Sequence, residues 1–316
     1  MKEIGGYIEL DTFHGKMFHS DGIMLNCGRN ALALILESRK IKTLWLPYFL
    51  CDSVKKVCKK YGVILRFYHI IDTFEPEEIN LQENEWLYLV NYYGQIPYQK
   101  LLELVNQYQR IIIDNTQNYF ADPIPHVDTI YSCRKYFGVS DGAILYTDSF
   151  IEKKLPRDES FERMHYILGR FERKASEFYD ESVQNNQFFD KEPIKQMSKL
   201  TYNLLHGIDY EKIKIQRTKN AEVLHNTLND INGLKVKLVE GAFMYPFMTS
   251  KASEIRKKFQ KLKIYVPILW PNVLKDISKG WLEWKYAKNI LPLPCDQRYK
   301  IEEMKYICET IYKYIE

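Results

Sequence analysis

A short run of isoleucines that ends on a carboxylate constrains the fold of this chain more than any other feature. Ile111, Ile112 and Ile113 are followed at once by Asp114. An apolar run bounded by polar residues is typical of a buried strand in a parallel sheet. Side chains just beyond the carboxyl end of such a strand face the crevice where ligands bind in open α/β sheets. Asp114 is therefore predicted to face a ligand-binding crevice.

A second group of polar residues follows the next β-rich run. Ser132 and Lys135 end that run, and Gln117 lies three residues beyond Asp114. If the two strands are neighbours, these four side chains converge on one site from two strand ends. A carboxylate and an amine in one crevice suit a cofactor whose ring nitrogen needs a carboxylate and whose aldehyde needs an amine. That cofactor is pyridoxal 5′-phosphate (PLP).

Each of these residues also has an ordinary interpretation when it is taken alone. Lysines are mostly exposed, so Lys135 beside Arg134 could be a surface residue in a basic turn. Asp114 could be an aspartate that caps a loop. The joint pattern, rather than any single residue, favours a PLP site.

Strands and helices alternate through the first half of the chain. Residues 1–25 are predicted to be irregular, and the strands that follow are predicted at 43–46, 63–68, 86–90, 111–114, 128–133 and 143–147. Helices are predicted at 51–60 and 98–109. This βαβ rhythm predicts parallel pairing with helices on both faces of the sheet.

A glycine opens the first predicted helix. Gly28 precedes an apolar helical run, and Asn26 or Asn30 could cap its start. Free backbone N–H groups at such a turn attract a phosphate, and an ordinary capped helix is the alternative. Tyr48 and Phe49 follow the next strand, where a ring could stack on a flat cofactor or simply join the core.

The pattern changes after about residue 149. Charged and apolar stretches at 150–179, 194–206 and 209–228 are predicted to be amphipathic helices, with a loop at 180–192. Strands are predicted at 234–239, at 244–249 and near 265, and helices at 251–261 and 299–314. We expect a PLP-binding large domain over 1–205 and a small C-terminal α+β domain over 206–316.

Composition argues against several other classes of protein. A net charge of +4 without a basic stripe gives no support for nucleic-acid binding. No apolar run of about 18 residues predicts a membrane span, and the N-terminus lacks the apolar core of a signal peptide. Six cysteines without a CxxC pair fit reduced thiols in a cytoplasmic protein. Seven histidines without HxxxH or HExxH spacing predict no metal site.

In their order and spacing, the motifs resemble those of the DegT/DnrJ/EryC1/StrS family of PLP-dependent sugar aminotransferases. They are Gly28-Arg29-Asn30-Ala31-Leu32, Leu46-Pro47-Tyr48-Phe49, Asn91-Tyr92-Tyr93-Gly94-Gln95, Ile113-Asp114-Asn115-Thr116-Gln117, Ser132 to Lys135, Asp141-Gly142-Ala143 and Leu291-Pro292-Leu293-Pro294. The resemblance covers nearly the whole chain. It implies a fold type I PLP-dependent transferase: an α/β protein with a large, mostly parallel central sheet flanked by helices, a smaller C-terminal domain and a homodimer.

The resemblance also implies roles at the ring of the cofactor. Lys135 would be the catalytic residue that binds the aldehyde as a Schiff base, and the freed amine would then move a proton. Asp114 would pair with the pyridine nitrogen, and Gln117 would contact the phenolic oxygen. Tyr48 or Phe49 would flank the ring.

At the phosphate, the resemblance implies binding by Ser132 and by the backbone of Gly28, Arg29 and Asn30. Here the chain departs from the family, in which a hydroxyl pair usually stands where Arg29 and Asn30 stand. Ser132 and Lys135 are also closer together than in the family. An asparagine motif that the neighbouring subunit contributes in the family has no clear match near 197–201. These departures suggest a divergent branch.

The activity implied by the resemblance is transfer of an amino group, with glutamate as the expected donor, to a keto group of a nucleotide-linked sugar. Such products feed surface polysaccharide or related biosynthesis. One alternative is a PLP enzyme of other chemistry, such as a dehydratase or an eliminase. The other is a non-catalytic sugar-nucleotide-binding protein that kept the fold.

Overall fold

The main sheet of the protein is built by the first half of the chain. The computed structural model describes residues 4–315, and within that range it contains a seven-stranded sheet. Its strands are β1 (Ile23–Leu25), β2 (Thr43–Pro47), β3 (Ile64–Tyr68), β4 (Glu85–Val90), β5 (Ile111–Asp114), β6 (Asp128–Ser132) and β7 (Ala143–Tyr146). Their spatial order is β1-β7-β6-β5-β4-β2-β3. Strands β2 to β6 pair in parallel and β7 is antiparallel to β1 and β6, so the predicted mostly parallel α/β sheet is confirmed.

Three helices connect these strands: α1 (Gly28–Ser38), α2 (Asp52–Lys60) and α3 (Tyr98–Tyr108). The isoleucines of β5 are buried, as expected for a central strand of a sheet covered on both faces. The predicted helices and strands of this half agree with the structure to within a residue or two. Strand β1 is the exception, because a short strand at the edge of a predicted irregular segment has too few residues to show a period of two.

Helix α1 lies along β6 and is fixed at both ends. Just beyond its C-terminus, Arg39 donates from Nε and Nη2 to the two carboxylate oxygens of Asp128, each over 2.9 Å. At its N-terminus, a methyl group placed on Gly28 would lie 3.7 Å from Cγ2 of Ile130. Because Asp128 begins β6 and Ile130 lies nearer its end, the first turn of α1 meets the carboxyl end of that strand.

Beyond β7 the chain is helical but less so than predicted. Its helices are α4 (His165–Glu172), α5 (Tyr179–Phe188), α6 (Lys199–His206) and α7 (Tyr210–Leu228). The helix predicted over 150–179 was wrong in its first half, because the backbone there pairs with Gln196: Asp158 N donates to Gln196 O over 3.0 Å and Gln196 N donates to Pro156 O over 2.8 Å.

The loop predicted at 180–192 was also wrong, since α5 occupies most of it. Asparagine is a poor helix former, which is why the stretch was predicted as a loop. Two tertiary contacts fix it instead. Asn185 Nδ2 donates to Ser140 O over 2.9 Å, and Asn186 accepts from Arg29.

The C-terminal part adds β8 (Tyr245–Met248), α8 (Ala252–Lys261), α9 (Val273–Asp276), α10 (Leu282–Asn289), β9 (Ile290–Leu293) and α11 (Ile301–Ile315). Strands β8 and β9 pair antiparallel. The strand predicted at 234–239 was wrong, because the side chain of Gln95 takes the place of a strand partner. Nε2 of Gln95 donates to Lys237 O over 3.0 Å, and Oε1 of Gln95 accepts from Lys237 N over 2.7 Å. The strand predicted near 265 is absent from the described chain too, and Tyr265 is exposed.

Two hydrophobic cores organise the molecule. The second core is formed by residues between Ala221 and Ile311, while Val273, Tyr286 and Ile290 of the same part of the chain pack on the first core. The domain boundary predicted between 205 and 206 stays a prediction. Among the helices of residues 4–315, none combines the length and the apolar character that crossing a bilayer requires.

Candidate active site

The carboxyl ends of three neighbouring parallel strands meet at one place. Val90 is paired with Asp114, and Asp114 is paired with Ile130. Thr116 N donates to Oδ1 of Asp114 over 2.8 Å, and Nζ of Lys135 donates to Oγ1 of Thr116 over 2.7 Å. The structure therefore brings Asp114 and Lys135 together, joined through a single threonine.

The carboxylate of Asp114 is buried and oriented by two donors. Besides the Thr116 amide on Oδ1, the hydroxyl of Tyr88 donates to Oδ2 over 2.8 Å. Burial, and then the charge of Asp114, raise the pKa of Tyr88 well above its ordinary value, so Tyr88 stays a neutral donor. In the described part of the chain no cation forms a salt bridge with Asp114. A carboxylate has about four lone-pair positions, so this one can accept another charged donor, such as a protonated ring nitrogen.

The amine of Lys135 contacts Thr116 and lies near the ring of Phe243. Its side chain reaches solvent, yet protein atoms are dense around it, and Nζ lies 5.5 Å from the centroid of the Phe243 ring. Burial lowers the pKa of Lys135, while attraction to Asp114 opposes that shift and repulsion from Arg134 adds to it. A lowered pKa favours the neutral amine, which is the form that attacks an aldehyde.

The turn that carries the lysine is tied to the segment before α1. Residues Cys133–Lys135 form a 3-10 turn, and Cys133 N donates to Gly142 O over 3.2 Å. Gly142 N in turn donates to Asn26 O over 2.6 Å. Gly142 has φ +116°, and a side chain there would lie 3.1 Å from Cβ of Cys133, so this position requires glycine.

The C-terminal part of the chain holds the same turn from the other side. The carbonyl oxygen of Tyr136 accepts from Nε2 of Gln297 over 2.7 Å and from Nη2 of Arg217 over 3.3 Å. Nε of Arg217 also donates to Oε1 of Gln297 over 2.7 Å. The turn that carries Lys135 is thus held between the main sheet and the C-terminal part.

Gln117 is oriented by the backbone of a neighbouring turn. Its Oε1 accepts from Tyr93 N over 2.9 Å, and Tyr93 has a left-handed φ of +53°. Among the described residues, no hydrogen-bond partner is present for Nε2 of Gln117. The amide nitrogen can therefore donate to a ligand oxygen, which is what the predicted contact to a phenolic oxygen needs.

The side chains after Gly28 are committed to other parts of the protein. Nη1 and Nη2 of Arg29 donate to Asn186 over 2.6 and 2.7 Å, and Nη1 lies 3.1 Å from Oδ1 of Asp190. Nδ2 of Asn30 donates to Oδ1 of Asn26 over 2.9 Å and to a backbone carbonyl at residue 193 over 2.7 Å. Neither side chain is free to bind a phosphate.

The backbone of the first turn of α1 remains available. Asn30 N and Ala31 N both donate to Cys27 O, whereas Gly28 N and Arg29 N have no backbone acceptor in the described chain. These are the orphan donors of a helix start. Ser132 ends β6 on the same face as Ile130, which faces Gly28. Ser132 is half-buried, and its contact with a phosphate stays a prediction.

The two aromatic candidates have partners of their own. Phe49 is 1% exposed and packs edge-on against Trp270, with ring centroids 4.5 Å apart. Tyr48 stacks on Phe67 and His69, with centroid distances of 5.2 and 4.5 Å. Core packing therefore accounts for Phe49 without a ligand, and a role of Tyr48 beside a cofactor ring stays a prediction.

Sequence reasoning missed three residues of this site. Thr116 lies inside the motif that contains Asp114 and Gln117, so its position between them could have suggested the link. Arg134 was read only as part of a basic turn. Tyr88 gave no signal, because an aromatic residue inside a predicted strand is ordinary core.

Comparison with known proteins places the fold. No protein-family model and no curated protein sequence matches the chain. An aminotransferase described as DegT DnrJ EryC1 StrS, from Brucella abortus, superposes with a TM-score of 0.61 at 14% identity, over 92% of this chain and 85% of that chain. The chain has the fold of the DegT/DnrJ/EryC1/StrS aminotransferases.

Two further solved structures show how broad this fold group is. DesV from S. venezuelae, in complex with a ketimine intermediate, has a TM-score of 0.64 at 13% identity, over 93% of this chain and 85% of that chain. GDP-4-keto-6-deoxy-D-mannose-3-dehydratase from E. coli, with bound hydrated PLP, has a TM-score of 0.61 at 14% identity, over 92% of this chain and 87% of that chain. The fold thus serves both amino transfer and dehydration.

Proposed function

We propose that the chain is a divergent member of the DegT/DnrJ/EryC1/StrS family and a PLP-dependent aminotransferase. It transfers an amino group from an amino acid, with glutamate as the expected donor, to a keto group of a nucleotide-linked sugar. The observation that carries the proposal is the link from Asp114 through Thr116 to Lys135. A buried carboxylate and an amine of lowered pKa in one crevice are the pair that this cofactor needs.

The residues of the crevice divide the work between them. When bound, PLP acts as an electron sink for bond breaking at the carbon that carries the amino group. Asp114 holds a proton on the ring nitrogen, and Tyr88 and Thr116 fix the orientation of that carboxylate. Lys135 would hold the aldehyde of the cofactor through its neutral amine, and the same amine could act as a general base and acid.

The remaining contacts orient the cofactor. Gln117 donates from its amide nitrogen to the phenolic oxygen. Ser132 and the backbone N–H groups of Gly28 and Arg29 bind the phosphate at the positive end of α1. These contacts would hold the cofactor at both ends, which would lower the entropic part of the barrier.

We also propose that the active form is a cytoplasmic homodimer. Ile4, Tyr7 and Ile8 are 98%, 98% and 91% exposed, and an apolar segment of this kind is suited to cover a second copy of the chain. Sedimentation of the purified protein is expected to give twice the mass of the chain. A mass that stays at that of one chain across the concentration range contradicts the dimer.

The cofactor is tested by absorbance. Purified protein mixed with PLP is expected to show the absorbance band of a lysine-bound cofactor, and Lys135→Ala is expected to abolish it. Lys100→Ala is the matched control, because Lys100 is an exposed lysine paired with Glu75 and Glu103. Absence of the band in the wild type removes the proposal and leaves a non-catalytic protein of this fold.

The reaction type is tested with amino donors. Incubation with glutamate is expected to convert bound PLP to pyridoxamine 5′-phosphate (PMP), which is detected by mass spectrometry. The second candidate is a dehydratase or eliminase, and it is favoured by the E. coli dehydratase of the same fold. A protein that binds PLP through Lys135 but forms no PMP with any common amino acid supports this second candidate.

A further inference from the structure

Arg134 is a partly buried arginine that forms no salt bridge among the described residues. Its Nε is buried and has no hydrogen-bond partner, and no carboxylate in residues 4–315 forms a salt bridge with it. Its guanidinium lies over the ring of Phe189, 4.7 Å from the centroid. Burial lowers the pKa of Arg134, which reports the cost of placing a cation there. A buried charge without a partner is unfavourable, and an anionic ligand would compensate it.

A second arginine on the same aromatic cluster shows the contrast. Arg163 lies over Phe188 and Phe189, with distances of 4.1 and 5.4 Å to the ring centroids. Unlike Arg134, it forms a salt bridge with Asp158 over 2.8 Å. The aromatic surroundings therefore do not prevent an arginine from pairing with an acid, and Arg134 lacks such a pair although Arg163 has one.

The position of Arg134 relates it to the start of α1. It follows Cys133, whose amide is joined through Gly142 to Asn26, two residues before Gly28. The charges of Tyr166, Cys27 and Asp141 raise the pKa of Arg134 and that of Arg29 lowers it, and Cys27 and Arg29 stand at the start of the same helix. This cation, which has no salt-bridge partner in the described chain, thus lies near a helix N-terminus where Gly28 N and Arg29 N have no backbone acceptor.

The other cation of this region is already neutralised. Arg29 pairs with Asp190 and donates to Asn186, so its charge is compensated by the protein. Lys135 is required for the aldehyde under the proposed function. Arg134 is the cation that remains for the phosphate.

We propose that Arg134 binds the phosphate group of PLP together with the N-terminus of α1, in place of the hydroxyl pair that this chain lacks. The inference rests on the proposed function. A guanidinium offers parallel N–H donors that match two phosphate oxygens, and such charge-assisted pairs are the strong class of hydrogen bond. Because Arg134 and Lys135 are adjacent, one short turn would then supply both the residue that binds the phosphate and the residue that binds the aldehyde.

The test compares PLP with pyridoxal, which lacks the phosphate. Dissociation constants of both are measured for the wild type, Arg134→Gln and Arg134→Lys. Arg163→Gln is the matched control because it changes a stacked arginine on the same aromatic cluster. We expect Arg134→Gln to raise the dissociation constant of PLP about 10- to 100-fold and that of pyridoxal by no more than about threefold. Arg134→Lys is expected to lie in between, and Arg163→Gln to leave the ratio of the two constants unchanged.

A readout independent of the aldehyde uses inorganic phosphate. Phosphate is expected to raise the melting temperature of the wild type and of Arg163→Gln, and to leave that of Arg134→Gln unchanged. If Arg134→Gln fails to fold, Arg134→Lys compared with Arg163→Lys carries the same test, since an ammonium loses the paired contact.

The outcomes separate the inference from the proposed function. Equal weakening of PLP and pyridoxal by Arg134→Gln, or unchanged PLP affinity, overturns the role of Arg134 while the function stands. A wild type that binds neither compound overturns the proposed function itself. A loss confined to PLP and to inorganic phosphate supports both.

Discussion

The two ends of the candidate crevice are built in opposite ways. At the ring end, both carboxylate oxygens of Asp114 accept hydrogen bonds from the protein, one from Tyr88 and one from Thr116. At the end where we propose that the phosphate binds, the side chain of Arg29 pairs with Asp190 and Arg134 has no salt-bridge partner among the described residues. At the first end the fold fixes the orientation of the carboxylate, whereas at the second end Arg134 lacks a salt-bridge partner and Gly28 N and Arg29 N lack a backbone acceptor in the described chain.

This difference separates what the fold needs from what the ligand needs. Groups that are already paired contribute to folding, so changing them affects both stability and chemistry. Groups that are unpaired cost stability and gain a partner on binding, so changing them should affect affinity alone. The predictions below test that separation.

The largest effect is expected from Asp114→Asn at the ring end. An amide cannot hold a proton on the ring nitrogen, so the rate of PLP conversion to PMP by glutamate should fall about 100- to 10,000-fold. Rapid-mixing absorbance measures that rate, and Asp52→Asn on exposed α2 is the control. A loss below tenfold would show that this carboxylate does not face the cofactor nitrogen.

The next largest effect is expected from Gly28→Ala, which should weaken ligand binding without lowering the stability of the fold. The added methyl would lie 3.7 Å from Ile130 and 3.9 Å from Thr116, so the protein has room for it. The free energy of unfolding should stay equal or rise by up to about 1 kcal/mol, since alanine is the better helix former. PLP affinity should fall about tenfold, because a side chain at the first helical position obstructs a phosphate. A loss of folding stability instead would show that Gly28 is needed for the fold and not for ligand binding.

A smaller effect is expected on the ionisation of Lys135, which both ends influence. Burial lowers its pKa, so its acetylation by acetic anhydride should reach half of its maximum at a lower pH than that of an ordinary surface lysine. Asp114→Asn removes an attraction and should lower the pKa further. Arg134→Gln removes a repulsion and should raise it.

Mass spectrometry of the labelled peptides reads this ionisation. Lys100, whose pKa is raised by hydrogen bonding to Glu103 and by the charge of Glu75, is an internal reference in the same digest. If the pKa of Lys135 shifts in the same direction in both variants, Asp114 and Arg134 do not have opposite effects on it.

The smallest effect is expected from Arg29→Gln. Because the Arg29 side chain binds Asn186 and Asp190 and not the crevice, PLP affinity should change by less than about threefold. The variant should instead loosen α5, measured as faster amide hydrogen exchange over Tyr179–Phe188. A tenfold loss of PLP affinity would show that Arg29 takes part in ligand binding.

Much of the fold could be predicted because its signals are local. Runs such as 111–113 are apolar at every position, and alternation with helical stretches determines parallel pairing. The convergence of Asp114 and Lys135 followed from the same geometry, since parallel strands end at one edge of a sheet. The convergence of these two residues could therefore be predicted before their contacts were known, whereas their role in binding a cofactor stays a prediction.

What could not be predicted depends on contacts between distant residues. Nothing near Asn185 indicates that Ser140 will accept its amide and favour a helix there. The β-like stretch around Lys237 fails to pair because Gln95, far away in sequence, takes its backbone groups. Arg134 looked like a surface residue because an arginine beside a lysine carries no local sign of burial.

The carbonyl of Tyr136, one residue past the lysine, accepts from both Gln297 and Arg217. The turn that carries Lys135 is therefore held by the C-terminal part of the chain as well as by the main sheet. A shortened chain that ends before Gln297 would keep Asp114, Thr116 and Lys135 and would lose one of the two side chains that donate to the carbonyl of Tyr136. The C-terminal third thus helps to position a residue of the proposed site, although it supplies none of the proposed cofactor contacts.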